Sequence, residues 1–343
     1  MEFLFEFGLF LAKAITILCT TLIIVSFIAG AAMRTQRKSS SKGDLVIESY
    51  NETLEDTEDL MMAHVLDKKA YKAWLKSNAN DKKAQKKSKN HDAKTVTKPK
   101  LFALKFDGDV QASDSERLVE TIDAALTIAK PGDGFFCDLE SPGGLVHAYG
   151  FAASQLRRIK DAGYPLTVGI DKVAASGGYM MACVADTIIA APFSIIGSIG
   201  VVAQIPNFNR VLKKNDVDLE LHTAGEYKRT LTLFGENTDE AREKFREDLE
   251  ETHVLFKKFV VSNRPAVNID QVATGEHWYG EQAIGLRLVD SLSTTQDFLM
   301  KATEHWDVYK LRYELKVPLM ERLGVSASKA IDRIYAKLGL RSI

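Results

Sequence analysis

Apolar and polar positions fall into three regimes along this chain. The first is an almost unbroken apolar run over residues 7–33, FGLFLAKAITILCTTLIIVSFIAGAAM, interrupted only by Lys13. Residues 14–33 carry no charge, about the 20 residues a helix needs to cross a bilayer core. A cleaved signal would have a shorter apolar stretch of about 7–15 residues behind a basic start. Here Glu2 and Glu6 precede the run, so the pattern predicts a retained N-terminal transmembrane helix within residues 1–35. The second regime, residues 36–100, is polar, with acids concentrated over 43–60 and lysines over 67–100, including KKAQKKSK at 82–89. A strand over 45–49 and a helix over 54–75 fit its spacing. The lysine block has too few large apolar residues to be ordered by burial; it reads as a solvated linker, with contact to anionic lipid heads as the sharper alternative.

The third regime, residues 101–310, alternates short apolar runs with helical spacing. LFALKF from Leu101 reads as a strand, and Leu118, Ile122, Ala125, Leu126 and Ala129 mark a helix over 113–129. A strand over 134–139, a helix over 146–162, a strand over 166–170, a helix over 174–185 and a strand over 187–191 follow. Residues 183–205 are apolar enough to suggest a second membrane span, but Asp186, Pro192, Gly197 and Gly200 break them into strand, turn and strand. The alternation predicts an α/β layered fold with a mainly parallel sheet. Residues 311–343 are expected as a helical tail.

Composition narrows the function. Charged residues make up 27% and apolar residues 45% of the 343, with a net charge of −1, so no nucleic-acid partner is expected. Arg34, Arg37, Lys38 and Lys42 follow the apolar run and place the main domain on the cytoplasmic side by the positive-inside bias, although Lys13 weakens that reading. Cys19, Cys137 and Cys183 are odd in number and lack a C-x-x-C spacing. They read as apolar filler, with no metal site expected.

Two glycine-rich turns carry the candidate chemistry: Ser141-Pro142-Gly143-Gly144, and Ser176-Gly177-Gly178 before Tyr179. A serine before two glycines that open a helix can meet an acyl carbon while helix N–H groups hold an oxyanion. Such turns are common in ordinary loops, and neither matches the G-x-S-x-G elbow. His147, His222, His253 and His277 lie in no recognisable triad context. The other base available to a serine is a neutral lysine, which needs burial or cationic neighbours. Gly225-Glu226-Tyr227-Lys228-Arg229 offers one, but the residues alone do not single out Lys228.

SPGG at 141–144, ASGGYM at 175–180, GSIGV at 197–201 and GEYKR at 225–229 together resemble the signal peptide peptidase A family of Ser/Lys proteases, in order and in spacing. The resemblance covers roughly residues 101–310, and the N-terminal region resembles more loosely that of the family's inner-membrane branch. It implies a ClpP/crotonase-like fold, a bacterial inner-membrane location and a homo-oligomer with active sites facing an enclosed space. It implies no cofactor, and as substrate a peptide or unfolded protein segment bound by strand addition along the SPGG segment. Carried over, Ser176 matches the nucleophile, Lys228 the general base, Ser198 the serine that orients the lysine amine, and the Gly143 and Gly177 N–H groups the oxyanion hole. The best-known members face the periplasm, against the charge bias. One departure stands out: the family's Gly-Leu-Val-Asp reads Arg287-Leu288-Val289-Asp290 here, which puts the local turn geometry in question. There is one copy of the catalytic domain, so the dyad would form within one chain or between neighbours. Two rivals remain open: a crotonase-like acyl-CoA enzyme and a catalytically inactive membrane scaffold.

Overall fold

The structure, a computed structural model, describes residues 43–91 and 98–315 together with Lys13, Thr16 and Thr20; residues 81–91 are described as backbone. The expected N-terminal membrane helix and most of the expected C-terminal tail lie outside the described residues. Among those described, no helix is long and apolar enough to cross a membrane. Leu45–Tyr313 form one compact unit, and residues 1–44 with 314–343 form another of which little is described.

The elements run β1 (Asp44–Ser49), α1 (Tyr50–Val65), α2 (Lys68–His91), β2 (Lys100–Asp107), α3 (Ser115–Ile128), β3 (Gly134–Glu140), α4 (Val146–Asp161), β4 (Leu166–Ile170) and β5 (Val173–Ala175). They continue with α5 (Gly177–Ala182), β6 (Thr187–Ala190), β7 (Ile195–Gly197), α6 (Asn209–Lys214), α7 (Asp239–Asn263), α8 (Ile269–Val272), β8 (His277–Tyr279), α9 (Gly280–Gly285), β9 (Ser291–Leu292), α10 (Thr295–Ala302) and β10 (Asp307–Glu314). Seven strands form one sheet in the order β1-β10-β2-β3-β4-β6-β9, and β5-β7-β8 form a second. From β10 through to β9 the pairings are parallel. In the small sheet β5 pairs with β7 in parallel and β7 with β8 antiparallel.

Strand alternation sorts side chains onto the two faces of the large sheet. Phe102, Leu104 and Phe106 of β2, with Phe135, Cys137 and Leu139 of β3, join a core with Leu118 and Ile122 of α3 and Leu156 and Ile159 of α4. Leu101, Ala103 and Phe136 point the other way and meet Tyr50 of α1, Leu299 of α10 and Val308. Both faces are covered, as a parallel sheet requires, which is why β2 and β3 read as continuous apolar runs rather than as alternating ones.

The first part of the polar region, where a strand over 45–49 and a helix over 54–75 were expected, belongs to the compact unit. β1 extends the sheet beside β10. The side-chain oxygen of Asn51 accepts from the Val308 N–H at 2.8 Å and its amide donates to Trp306 O at 3.2 Å. The backbone of α2 is helical through His91 despite the lysine block, for which Lys, Ala and Gln have adequate intrinsic propensity. At the other end, β10 continues to Glu314, so the first residues assigned to a helical tail complete the sheet instead.

Candidate active site

The site is built where three chain segments leave their strands. β3 ends at Glu140, and Ser141 continues as a parallel bridge to Ala174. The Ser141 N–H donates to Val173 O at 2.8 Å, and the Ala175 N–H donates to Ser141 O at 3.0 Å. On its other side β5 pairs with β7, Ala175 opposite Gly197. The Ser176 N–H donates to Gly197 O at 2.7 Å, and the Ser198 N–H donates to Glu276 O at 2.7 Å. Ser176 and Ser198 therefore each follow one member of a registered pair.

Both serines hold a backbone conformation that L residues avoid. Ser176 has φ 52° and ψ −117°, and Ser198 has φ 51°. Such conformations cost of order 1–3 kcal/mol and persist where the surroundings over-determine them. At Ser176 the surroundings do: its N–H is tied to β7, its carbonyl accepts from the Met180 N–H at 3.0 Å, and α5 starts at the next residue. Its hydroxyl does not cap the helix and makes no hydrogen bond to any described residue. The Gly177 N–H, first in the helix, likewise has no partner among the described residues, as helix geometry dictates.

Gly143 closes the opposite wall. A Cβ there would lie 2.7 Å from Ala175 O and 2.8 Å from both the Gly177 N and Ser176 Cβ, and its φ is +88°. Only glycine allows the SPGG turn to approach the serine this closely. The Gly143 N–H is not free: it donates to Ser141 Oγ at 3.1 Å. Gly144, exposed and without a partner for its N–H among the described residues, is the adjacent open donor, and the sequence reading passed over it. Its identity within SPGG was visible; which of two successive peptide planes turns outward was not.

The helix carrying Ser176 is clamped from behind. Tyr179 is fully buried and donates to Leu288 O at 2.9 Å. Arg264 makes two 2.8 Å hydrogen bonds to Asp290 and donates to Arg287 O at 3.0 Å, and Asp290 also accepts from the Ile188 N–H at 2.7 Å. Burial pushes the Asp290 carboxyl up, but the Arg264 and Ile188 hydrogen bonds outweigh it and hold the carboxyl below its usual range. Arg287, which stands where the resemblance expects glycine, has φ 62°, so the turn keeps the glycine-type conformation and strains the arginine. Cys137 and Cys183 are buried in the core, and burial pushes the Cys183 thiol up to about 12.

Lys228 lies in a different setting. It is exposed, in a turn closed by its own N–H to Gly225 O at 3.2 Å, where Gly225 has φ +97°. Its amine makes no hydrogen bond or ion pair with a described residue, so Ser176, Ser198 and Lys228 are not hydrogen-bonded to one another in one chain. None of the four histidines bonds to Ser176 either; His222 pairs with Glu220 at 3.4 Å and His253 lies 3.9 Å from Glu250.

A strained serine at a helix N-terminus, walled by a glycine turn in which the Gly144 N–H is open, is an arrangement that suits a serine hydrolase of the acyl-transfer type. Comparison with known proteins gives the family: residues 2–156 match the Peptidase family S49 N-terminal domain and residues 158–309 match Peptidase family S49. "Probable protease SohB" of Haemophilus influenzae is 46% identical over 339 residues, 97% of this chain and 95% of that one. "Probable protease SohB" of Buchnera aphidicola subsp. Schlechtendalia chinensis is 49% identical over 306 residues, 88% of this chain and 99% of that one. Among solved structures, the 1510-N membrane-bound stomatin-specific protease aligns over 60% of this chain and 85% of its own, with 14% identity and a TM-score of 0.39. The chain belongs to peptidase family S49 and is a serine-type endopeptidase. The acyl-CoA reading is set aside by that membership.

Proposed function

We propose that Ser176 is the acylated nucleophile and Lys228 the proton carrier of this endopeptidase, with Ser198 orienting the lysine amine. The observation that carries the reading is the strained Ser176 backbone, packed against Gly143, with a hydroxyl that has no partner among the described residues. Ser176 Oγ attacks the scissile carbonyl carbon as its proton passes to neutral Lys228. The oxyanion is held by the Gly177 N–H and by the SPGG turn, where the Gly143 donor is shared with Ser141 and the Gly144 donor is open. The tetrahedral intermediate expels the amine, which takes the proton back. Water, deprotonated by the same lysine, then cleaves the acyl-serine ester.

The lysine is completed between copies of the chain. A neutral amine at working pH needs desolvation, and the surface around Lys228 in one chain does not provide it. The chain on either side of Lys228 exposes apolar side chains among its charged ones: Val202 is 84% exposed and Tyr227 59%, and Leu219, Leu221 and Phe234 are also exposed. A second copy covering it would bury the amine and bring it against a neighbouring serine, which supports the expected homo-oligomer. Residues 1–35 hold the protein in the bacterial inner membrane; recovery of the intact chain in the soluble fraction after carbonate washing would count against that.

Mixing inactive Ser176→Ala chains with inactive Lys228→Ala chains tests the arrangement. Casein hydrolysis should reappear on mixing and subunit exchange. A mixture that stays inactive while exchange is demonstrated by mass would place both residues in one chain.

A further inference from the structure

Behind the SPGG turn lies a buried chain of hydrogen bonds that the dyad does not use. Tyr149, fully buried, has its hydroxyl 2.7 Å from Asp109 O and 2.6 Å from Ser141 Oγ. Ser141, also fully buried, has its Oγ 3.1 Å from the Gly143 N. The proton order follows from the ends. A backbone carbonyl only accepts, so the Tyr149 hydroxyl donates to Asp109 O. Its oxygen must then accept the Ser141 hydroxyl proton, and the Ser141 oxygen is left to accept the Gly143 N–H. All the bonds run in one direction, the arrangement in which each strengthens the next.

The same tyrosine also bears on the other wall of the site. A Cβ on Gly177 would lie 2.3 Å from Tyr149 Cγ, so the ring lies directly under the first residue of α5. Gly108 closes over the pair: a Cβ on Gly108 would lie 2.3 Å from Ser141 Oγ and 2.5 Å from the Tyr149 oxygen. One side chain thus touches both segments that frame Ser176, by its hydroxyl through Ser141 to Gly143 and by its ring to Gly177.

We infer that Tyr149 and Ser141 are positioning residues that set the spacing and tilt of the two oxyanion-binding segments, the ring fixing Gly177 and the hydroxyl chain fixing the SPGG turn. The inference rests on the proposed nucleophile Ser176. The effect belongs to the transition state, because the turn meets the oxyanion only once the carbonyl carbon becomes tetrahedral. Truncating the hydroxyl chain lets the turn tilt and lowers kcat, while binding of the extended peptide is largely unchanged.

The test uses the full chain in detergent micelles, with a fluorogenic peptide as substrate and a fluorophosphonate to titrate competent serines. Tyr149→Phe keeps the ring and removes one oxygen. It should lower kcat per titrated site by about ten- to a hundredfold, with KM within about twofold. Ser141→Ala should act on the same parameter. Because the two lie on one chain of bonds, the double variant should be no slower than Ser141→Ala alone, whereas independent structural damage would multiply. Normalising to titrated sites removes any loss of folded protein. A Tyr149→Phe enzyme with kcat within twofold of the parent, an effect confined to KM, or multiplicative losses in the double variant would each overturn the inference. Ser176→Ala, run alongside, separates the two levels: hydrolysis persisting there removes the nucleophile assignment itself.

Discussion

The serine and the lysine proposed as partners sit in opposite kinds of surroundings. Around Ser176 the chain is buried and over-determined: β5 and β7 fix its flanks, Gly143 and Tyr149 press from two sides, and the Arg264–Asp290 pair backs the helix it opens. Around Lys228 the backbone is a turn on an exposed segment whose apolar side chains face outward. A single chain invests its core in the segments around Ser176. The base waits for a surface.

The largest effects should come from removing either partner. Ser176→Ala and Lys228→Ala should each lower peptide hydrolysis by about a thousandfold or more. Their thermal melting should stay close to that of the parent, since neither side chain makes a hydrogen bond with a described residue. Retention of full activity in either variant, measured on a fluorogenic peptide, would break the contrast at its root.

The next effect sharpens the lysine side. Val202→Asp places a charge on a residue that is 84% exposed, so stability of the single chain should change by no more than about 0.5 kcal/mol. If that surface is covered in the assembly, the variant should sediment as a smaller species and lose about tenfold in activity. A variant that remains both assembled and active would show that this surface stays open.

The serine side is sharpened by pH. The Asp290 carboxyl is held below its ordinary range in the fold, so the stability it supplies is present above the unfolded carboxylate value and is lost as pH falls through the lowered folded one. Asp290→Asn should cost about 1–3 kcal/mol at neutral pH, discounted because the carboxylate is partly exposed, and should flatten the decline of Tm towards acid pH. An unchanged pH profile would show that the clamp contributes nothing. The smallest effect concerns the neighbouring turn: Arg287→Gly should raise stability by about 1 kcal/mol by relieving the φ of 62°, without altering activity. Denaturant midpoints at unchanged slope would report it.

Much of the framework was legible because it depends on local pattern. The helices expected over 113–129 and 146–162 appear as Ser115–Ile128 and Val146–Asp161, and the apolar stretch read as strand, turn and strand gives Thr187–Ala190 and Ile195–Gly197. The polar region was harder to read. Asn51 bonds to Val308 across 257 positions, and no local spacing announces that an acid-rich segment will close a sheet edge. Within the site, the importance of the SPGG turn was readable but its internal bonding was not. Ser141 looked like a turn residue, and Tyr149 lay unmarked within the helix expected over 146–162. Their hydrogen bond to each other, and that from Tyr149 to Asp109 O, exist only after the strands have been brought together.

The sequence by itself therefore determined the α/β alternation, the two glycine turns and the motif set shared with the peptidase family, since each is written in the order and spacing of nearby residues. Tertiary structure alone decided that Gly143 lies against Ser176, that its N–H is held by Ser141, that Tyr149 spans both walls of the site, and that Lys228 stays at the surface. The reason is geometric. Close packing and directional hydrogen bonds join residues far apart in the chain, and they are fixed only when the sheet and helices have set every backbone in place.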